Sequence, residues 1–514
     1  MAIDLGASLL LAWLSCEHLT MPAPGFGSFN SGNVEDMISD PEWTPPQPPS
    51  FLEDLDGAVG ATCGFGAAMR ACFLLEPGWT FVNHGAFGAP LAAAFEVSSR
   101  WRRYAEQQPL RFIDRELFPY LVKVTKQMAA HLCVDVRDLV LVQNATTALN
   151  AVVQSVPLQP GDEVLFFDCT YASVKKMVRK VCAACGAVAS EKALPQLNTS
   201  LTASALADAV ARLIPDNCKL VILDHVTSNE AMELPLDLLV PLCQEKGALV
   251  LVDGAHGLGA THLDVAAIGA EYYAGNCHKW FCAPRGVGFL HVNHARLRER
   301  APAAAARPRD IPVVVCGDKV CERVAVIKAT PWGGVTNPIT SHGYGAGFLS
   351  QFVWDGARDY SAFLALEFCL AFWRETPDAL SYSRALLCWA AAFLTARWDS
   401  ETLLQNGLCA KTMCLVRLPS SVQDSAGKPP VTPASMMTLS LLSLQRLSYR
   451  RCSRSLARSL ARSRFPTLSS SLYPPTPPRP LRMNSTQQPR SVSPCLSDLS
   501  LCAFKMARAR QAAR

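Results

Sequence analysis

Two residues that could do chemistry together, an acid and a lysine, each follow an apolar strand-like run in the middle of the sequence. Asp253 ends the run LVLVD, and Lys279 stands between His278 and Trp280, before the glycine-bearing run Gly286 to Val292. Open α/β sheets bind ligands outside the carboxyl ends of their strands. Pyridoxal phosphate requires a Schiff-base lysine and an anionic partner for its pyridinium nitrogen. The pair therefore predicts a pyridoxal phosphate site.

The role of each residue follows from its chemistry. A carboxylate at Asp253 would keep the pyridine nitrogen protonated, so that the ring can accept electrons from a carbanion, and His256 could hydrogen-bond the ring hydroxyl. A lysine in an apolar setting has a depressed pKa, which suits Schiff-base formation at Lys279. Taken singly, Asp253 could be a helix cap and Lys279 a solvated side chain beside Trp280.

Two further segments follow strand-like runs and could complete the site. NATTALN, residues 144–150, opens a helix, where free backbone N–H groups could bind a phosphate, although the same residues also make an ordinary N-cap. In FFDCTYASV, Tyr171 could stack on a flat aromatic ligand, although a single tyrosine is more often simply packed. Taken together, the four segments favour a cofactor over these separate structural roles.

Short apolar runs alternate with helix-like segments over most of the chain. The strand-like runs are LVLVQN (139–144), EVLFFD (163–168), KLVILDHV (219–226), ALVLVDGA (248–255) and GVGFLHV (286–292). Nearly uninterrupted apolar strands between helices predict an α/β fold, with a mostly parallel sheet buried between helices on both faces. Residues from Pro90 to Cys133 read as helix by their three- and four-residue apolar spacing.

At 514 residues the chain exceeds what one hydrophobic core usually serves, so a large and a small domain are expected. Residues 1–77 read as a loose leader, rich in Pro, Gly and Ser in part, and 78–355 as the large cofactor-binding domain. Residues 356–420, helical and then strand-like at MCLVRL, begin a small α/β domain that stays incomplete. Residues 421–514 are expected to be a disordered or aberrantly encoded tail.

The net charge of +5 is unevenly distributed. Residues 425–514 contain 15 Lys and Arg against one acidic residue, whereas residues 1–424 contain 33 basic and 42 acidic residues. RSLARSLARSR could form a basic helix that binds nucleic acid or an anionic membrane, but the tail's composition favours disorder, so neither partner is expected. The apolar stretch Leu9–Leu14 is too short to span a bilayer, and no other stretch reaches that length. Whether residues 1–21 target the chain stays open.

Twenty cysteines without regular spacing predict free thiols in a reducing, cytoplasmic setting rather than a disulfide scaffold. Cys182 and Cys185 form a CxxC pair within a segment that reads as helix. Because no second pair stands at zinc-finger spacing, no metal site is expected.

The motifs around these residues resemble those of the class V aminotransferase family of pyridoxal phosphate enzymes, fold type I, and most closely its isopenicillin N epimerase-like branch. The resemblance covers roughly Gly78 to Leu418. It is carried by FVNHGAFG, NATTALN, DHVTSNEAMELP, VDGAHGLG, HKWFCAPRGVGFL and TSHGYGAGFLSQFVWDGARDYSAF. It implies a homodimer with the active site at the subunit interface, and an amino-acid-like substrate that loses its α-proton.

The resemblance also implies a role for each matching residue. Lys279 would hold the cofactor covalently and move the α-proton, Asp253 would pair with the pyridine nitrogen, and Tyr171 would stack on the ring. The remaining cofactor-binding residues are expected to be Ala145 and Thr146 at the phosphate, aided by His278 and Asn276, then Ser228 and His256 near the ring hydroxyl, and Gly356 and Ala357 at the phosphate of the neighbouring subunit.

Two departures from the family bear on activity. Ala357 stands where relatives commonly carry threonine, and nothing from Ser421 onward matches the strand whose arginine binds the substrate carboxylate. Three functions therefore stay open: an epimerase, a C–S lyase of the desulfhydrase type, and an impaired isoform that keeps the cofactor fold without turnover. A persulfide-forming desulfurase is disfavoured, because Cys316 and Cys321 lie in no recognisable motif.

Overall fold

The computed structural model describes most of the chain between Asn33 and Ser440. The described residues are 33–55, 64–76, 80–196, 198–300, 334–339, 341, 347–404, 407–418 and 436–440, and all of them belong to one compact unit, Met1–Ser453. The stretch Leu9–Leu14, the two cysteines Cys316 and Cys321, and most of the tail lie outside the described residues.

Strands and helices alternate in this part of the chain, as the apolar runs predict. The strands are β1 Leu139–Val142, β2 Glu163–Phe167, β3 Val188–Lys192, β4 Cys218–Asp224, β5 Leu249–Gly254, β6 Tyr272–Asn276, β7 Gly288–Val292, β8 Met413–Arg417 and β9 Met436–Ser440. The α-helices are α1 Val34–Ser39, α2 His84–Phe87, α3 Ala92–Gln107, α4 Pro109–Arg111, α5 Leu117–His131, α6 Ala145–Ser155, α7 Ala172–Cys185, α8 Ala203–Leu213, α9 Leu236–Glu245, α10 Val265–Ile268, α11 His294–Glu299, α12 Phe348–Val353, α13 Ser361–Leu364, α14 Leu366–Glu375 and α15 Ala379–Trp398. Shorter 3-10 turns are Ser50–Leu55, Met69–Cys72 and Val136–Asp138, and Phe112–Glu116 is a π-helical turn.

Seven of the described strands form the central sheet, in the order β1-β7-β6-β5-β4-β2-β3. Neighbours from β6 to β3 are parallel, whereas β7 is antiparallel to both β6 and β1. Every residue of β1, β5, β6 and β7 is buried. Because successive side chains of a strand point to opposite faces, the sheet is covered on both sides. The predicted mostly parallel α/β sheet is confirmed.

All five predicted runs contain a strand, but β3 and β6 are not among them. β3, with the sequence VASEK, lies at the edge of the sheet and leaves two of its residues exposed. β6, with the sequence YYAGN, is short and ends in Gly275 and Asn276. Both lack the apolar run that marks the other strands, so their pairing with neighbouring strands, rather than residue pattern, makes them strands.

The helical region predicted from Pro90 to Cys133 is interrupted. α3 ends at Gln107, because Gln108 precedes Pro109 and takes an extended backbone with φ of −150°. The chain then passes through α4 and the π-helical turn before α5 begins at Leu117.

The C-terminal part shows the predicted order of helices followed by a strand. β9, which the sequence does not predict, pairs antiparallel with β8. The 20-residue helix α15 is long and apolar enough to cross a membrane, and 11% of its apolar window is buried. The expectation that no stretch reaches this length is therefore wrong. Length and composition alone do not assign the helix to a membrane, because helices of soluble proteins share both.

Candidate active site

Two aspartates stand at the ends of neighbouring strands, at the same level of the sheet. Asp224 is the last residue of β4, Asp253 is the next to last of β5, and the two are register partners. Their side chains are buried, with 3% and 5% exposure. Since each apolar strand is packed on both faces, the polar residue at its carboxyl end is what reaches the functional edge.

The two carboxyl groups have different partners. Asp224 Oδ2 accepts a hydrogen bond from the Thr170 hydroxyl at 2.8 Å and the carboxyl also accepts the backbone N–H of Tyr171, so it ties the turn after β2 to β4. Asp253 Oδ1 accepts the Ala255 N–H at 3.1 Å. Burial raises the pKa of both carboxyl groups, and the charge of Asp253 raises that of Asp224 further.

Lys279 lies in the turn between β6 and β7 and contacts His256. Its Nζ is 3.0 Å from His256 Nε2, and the indole Nε1–H of Trp280 donates to His256 Nδ1 at 3.2 Å. His256 and Trp280 are buried, with 7% and 6% exposure. Because His256 follows Asp253 by three residues, the turns after β5 and β6 bring the predicted acid, imidazole and amine to one edge.

Burial determines the protonation of this group. It lowers the pKa of Lys279 to about 8, although the charge of Asp253 acts in the opposite direction. It also lowers the pKa of His256 well below its usual range, and the charge of Lys279 adds to that effect. At neutral pH, His256 is therefore uncharged and about a tenth of the Lys279 amines are unprotonated. An unprotonated buried amine is the form that attacks a carbonyl carbon.

Gly88 allows the segment FVNHGAFG to approach the backbone of the lysine turn. Its φ is +71°, and a Cβ atom there would lie 1.5 Å from the His278 carbonyl oxygen and 3.0 Å from that of Lys279. The Arg285 guanidinium donates to Gly88 O at 3.3 Å. Only glycine combines this backbone conformation with this close approach.

Protein groups satisfy part of the helix N-terminus that follows β1. Asn276 Oδ1 accepts the Ala145 N–H at 2.9 Å, and Asn144 Oδ1 accepts the Thr147 N–H at 2.9 Å. The expectation of free N–H groups is therefore wrong for Ala145, because the Asn276 side chain occupies its donor. Thr146 lies between the two capped positions with an exposed side chain, which leaves its N–H and hydroxyl for a phosphate.

His278 and Ser228 differ in their readiness to bind a ligand. His278 Nδ1 is 3.0 Å from the Val287 carbonyl oxygen, so this nitrogen carries the proton, and burial lowers the pKa of the ring. Its Nε2 then donates to a phosphate only when the ring is protonated. The Ser228 hydroxyl oxygen is buried and has no hydrogen-bond partner within the described ranges, which fits its predicted contact with a ring hydroxyl.

Tyr171, Gly356 and Ala357 have more open positions. Tyr171 precedes α7, and 52% of it is exposed, so the ring is free to cover a ligand. Gly356 has a φ of +112°, its carbonyl oxygen accepts the Tyr360 hydroxyl at 2.8 Å, and Ala357 is exposed. Their approach to the phosphate of a neighbouring subunit stays a prediction.

A second polar cluster connects the sheet to the segment after α15. Lys411 Nζ is 3.2 Å from Glu233 Oε1 and 2.9 Å from the Thr261 hydroxyl, which donates to Glu233 at 2.8 Å. The Glu233 N–H also donates to Leu408 O at 2.9 Å, so the segment after α15 is hydrogen-bonded to the chain that follows β4. The same region contains a small apolar cluster made of Val226, Ala231, Ala260, Trp280, Ala410 and Met413.

Sequence reasoning missed Asp224 with its partner Thr170, and the contact between Trp280 and His256. The signal for Asp224 was present, because KLVILD ends in an aspartate as LVLVD does. Nothing in the sequence places the Trp280 indole against His256, since that contact depends on how two turns meet.

The donor set at this edge fits pyridoxal phosphate. It contains an amine with a lowered pKa, a buried carboxyl group at the end of β5, a buried hydroxyl with no hydrogen-bond partner among the described residues, and a helix N-terminus that is capped at Ala145 and Thr147 but exposed at Thr146. Among the described residues, no group of three or more His, Cys, Asp and Glu could hold a metal ion.

Comparison with known proteins identifies related sequences. Residues 121–306 match the family model of aminotransferase class-V. The chain is 33% identical over 233 residues to isopenicillin N epimerase from Streptomyces clavuligerus, covering 45% of this chain and 58% of the relative. It is 28% identical over 314 residues to L-cysteine desulfhydrase from Arabidopsis thaliana, covering 58% of this chain and 61% of the relative. The chain thus spans about three fifths of the length of these relatives.

A solved structure shares the fold. C-DES with glycine covalently linked to its PLP cofactor has a TM-score of 0.53 to this chain at 21% identity, over 70% of this chain and 88% of that chain. This likeness confirms the predicted fold type I. The family match and the epimerase relative confirm the resemblance that the motifs carry.

Proposed function

Because residues 121–306 match the aminotransferase class-V family, we propose that this protein is a pyridoxal phosphate enzyme that removes the α-proton of an amino acid and acts as a C–S lyase on L-cysteine. The observation that carries the proposal is the buried Lys279 amine, 3.0 Å from His256 and at the same sheet edge as Asp253. The relative that bears the name L-cysteine desulfhydrase supports the substrate class.

Each residue of the edge has a part in this reaction. Pyridoxal phosphate, when bound, supplies a ring that takes up electrons from the α-carbon of the substrate. Lys279 Nζ would attach the cofactor and then take the α-proton of the substrate, a task suited to an amine whose pKa is about 8. The electron pair of the broken C–H bond would form the Cα–Cβ double bond as the Cβ–S bond breaks, and the sulfide would leave with its bonding electrons and take up a proton. The Asp253 carboxyl would hold a proton on the ring nitrogen. Thr146 at the start of α6 and a protonated His278 would hold the phosphate.

Asp224 would keep the ring-covering residue in place. Its carboxyl group accepts the Tyr171 N–H and the Thr170 hydroxyl, and both partners lie in the turn that presents the tyrosine. Because the Tyr171 side chain itself is half exposed, its orientation depends on the backbone that Asp224 holds. Tyr171 would exclude water from one face of the ring.

The oligomeric state and the setting complete the proposal. A homodimer accounts for the turn of half-buried Gly356 and exposed Ala357 as a surface for the neighbouring subunit, and no disulfide joins two cysteines within the described ranges, which suits a reducing cytoplasm. Analytical ultracentrifugation of the full chain would give a dimer, and a monomer with bound cofactor would contradict this part. Exclusion of a tagged protein from the cytoplasm would contradict the setting.

The test uses full-length protein saturated with pyridoxal phosphate and L-cysteine as the substrate in D₂O. A visible absorption band that is lost in Lys279→Ala, with release of sulfide and pyruvate, is the expected result. Formation of D-cysteine with deuterium at its α-carbon, without sulfide, would instead establish an epimerase-type reaction, which the 33% identity to isopenicillin N epimerase favours as second candidate. The absence of a band in the wild-type protein would refute both.

A third candidate is a cofactor-binding protein without turnover. Two cations of the C-terminal segment are already paired, Lys411 with Glu233 and Arg417 with Glu401, and the sequence from Ser421 onward lacks the family's arginine strand. A visible band that neither L-cysteine nor other amino acids perturb would favour this isoform over the enzyme.

A further inference from the structure

We propose that Trp280 is a positioning residue that fixes the tautomer of His256, so that the imidazole Nε2–H points at Lys279 and favours its unprotonated amine over the ammonium. The inference deepens the proposed function, because it gives a reason why the attachment lysine is reactive at neutral pH.

The hydrogen-bonding capacity of tryptophan carries the argument. An indole Nε1–H is a donor and never an acceptor, so His256 Nδ1, 3.2 Å from it, must be the acceptor. A neutral imidazole has one protonated nitrogen, and its proton must therefore lie on Nε2. That nitrogen is 3.0 Å from Lys279 Nζ, and an ammonium group has no lone pair to accept with. The contact is satisfied only when Lys279 is an unprotonated amine.

The imidazole is held in its neutral form by its surroundings. His256 is 7% exposed, and a protonated ring would turn a second N–H toward the Trp280 N–H. Burial lowers the pKa of His256 well below its usual range, and this effect does not depend on the charge of Lys279. Of the neighbouring titratable groups, Asp253 favours the ammonium form of Lys279, and burial lowers the pKa of the adjacent His278.

Trp280 is itself fixed by packing on two sides. Its ring stacks on His84 with centroids 6.2 Å apart and an interplanar angle of 27°. It also belongs to the small apolar cluster that includes Met413 and Ala410. The C-terminal segment therefore packs against Trp280, whose indole N–H contacts His256, so the indole N–H is a defined point at which to interrupt this series of contacts.

The decisive variant is Trp280→Phe, which keeps an aromatic ring and removes the N–H. The matched control is Trp373→Phe, because the Trp373 indole N–H donates to the Phe281 carbonyl oxygen at 3.1 Å and contacts no histidine by hydrogen bond. Imidazole ¹⁵N NMR of cofactor-free full-length protein, assigned with His256→Gln, reports the tautomer. We expect the Nε2–H form in the wild type and in Trp373→Phe, and a shift toward the Nδ1–H form in Trp280→Phe.

A second readout measures the amine itself. Acetylation of Lys279 by acetic anhydride, followed by mass spectrometry over a pH series, gives the apparent pKa of the amine in cofactor-free protein. In Trp280→Phe, the freed imidazole can present a lone pair at Nε2 and accept from the ammonium, so the pKa should rise by about one unit. At neutral pH this is about a tenfold loss of reactivity, and Trp373→Phe should show none.

Either of two results would overturn the proposal: an Nδ1–H tautomer of His256 in the wild-type protein, or equal amine reactivity in the wild type and Trp280→Phe. If Trp280→Phe does not fold, the wild-type ¹⁵N shifts decide alone. Neither readout needs the cofactor or turnover. A protein with the expected tautomer that never binds pyridoxal phosphate would contradict the proposed function while supporting this inference.

Discussion

The strand-end edge around Lys279 and the segment after α15 both contain a lysine near a carboxyl group, but they use it differently. Lys411 has two close oxygen partners, Glu233 at 3.2 Å and Thr261 at 2.9 Å. Lys279 has a nitrogen partner, His256, and burial lowers its pKa to about 8. The first lysine is satisfied as a cation, whereas the second is disfavoured as one. A reactive lysine is thus distinguished from a structural one by whether its partner can accept a hydrogen bond from an ammonium group.

The largest expected effect comes from removing each lysine in turn. Lys279→Ala should abolish the visible cofactor band and reduce sulfide release from L-cysteine by at least roughly 10³-fold, because the attachment group and the proton carrier are the same amine. Lys411→Ala should keep the band and lose about 1 kcal/mol of unfolding free energy, since its ion pair is partly exposed. Absorbance and urea denaturation measure the two outcomes. Loss of the visible band in Lys411→Ala would contradict the prediction that only Lys279 holds the cofactor.

Two glycines with positive φ give the next contrast. Gly88→Ala and Gly407→Ala should each lose about 1–3 kcal/mol from backbone strain, because their φ values are +71° and +90°. At Gly407 a Cβ would meet nothing within 4 Å, whereas at Gly88 it would lie 1.5 Å from the His278 carbonyl oxygen. Gly88→Ala should therefore also lower cofactor occupancy, which spectrophotometric titration measures. Equal occupancy in both variants would show that the approach of Gly88 does not position the lysine.

The pH dependence of cofactor attachment tests the lysine edge alone. The amine attacks only when unprotonated, so attachment of pyridoxal to cofactor-free protein should slow about tenfold per unit as pH falls below about 8 and level off above it. Pyridoxal avoids the titration of the phosphate group. Asp253→Asn should move the midpoint to lower pH, because the Asp253 charge raises the Lys279 pKa. Stopped-flow absorbance gives the rates, and a midpoint near that of a solvated lysine would contradict the buried amine.

The smallest effect on cofactor binding is expected from two threonines that donate to carboxyl groups. Thr170→Val removes the 2.8 Å hydrogen bond to Asp224, and Thr261→Val removes the 2.8 Å hydrogen bond to Glu233. Each should cost about 1–3 kcal/mol in urea denaturation, with the larger loss at Thr170, because Asp224 is more deeply buried. Only Thr170→Val should weaken cofactor binding. If Thr261→Val weakened cofactor binding as much as Thr170→Val, the cluster around Thr261 would also contribute to the cofactor site.

Apolar runs made the sheet predictable, and strand ends made much of the site predictable. LVLVD and KLVILD are recognisable because parallel strands are buried on both faces, so that a carboxylate at the end of such a run stands out. β6 was missed because YYAGN has no such run, although it delivers Lys279. Asp224 was missed because only the register of β4 against β5 shows that it lies level with Asp253.

Contacts between turns could not be predicted in the same way. The Ala145 N–H was expected to be free, but the Asn276 side chain comes from a strand 131 residues later and accepts it. The indole of Trp280 meets His256 for the same kind of reason, since two separate strands determine where the turns lie. The local sequence shows which residues can donate or accept hydrogen bonds, whereas the order of the strands in the sheet determines which of them meet.

The Asn276 side chain connects the two places at which a cofactor would be held. Its side chain holds the first turn of α6, while its own backbone ends β6, three residues before Lys279. One residue therefore anchors both the helix end that would face an anion and the amine that would attack a carbonyl. Along the chain, these two points are separated by three residues at the start of the turn after β6. A compound bound at both points would therefore need an aldehyde and an anionic group at a separation that this short stretch determines.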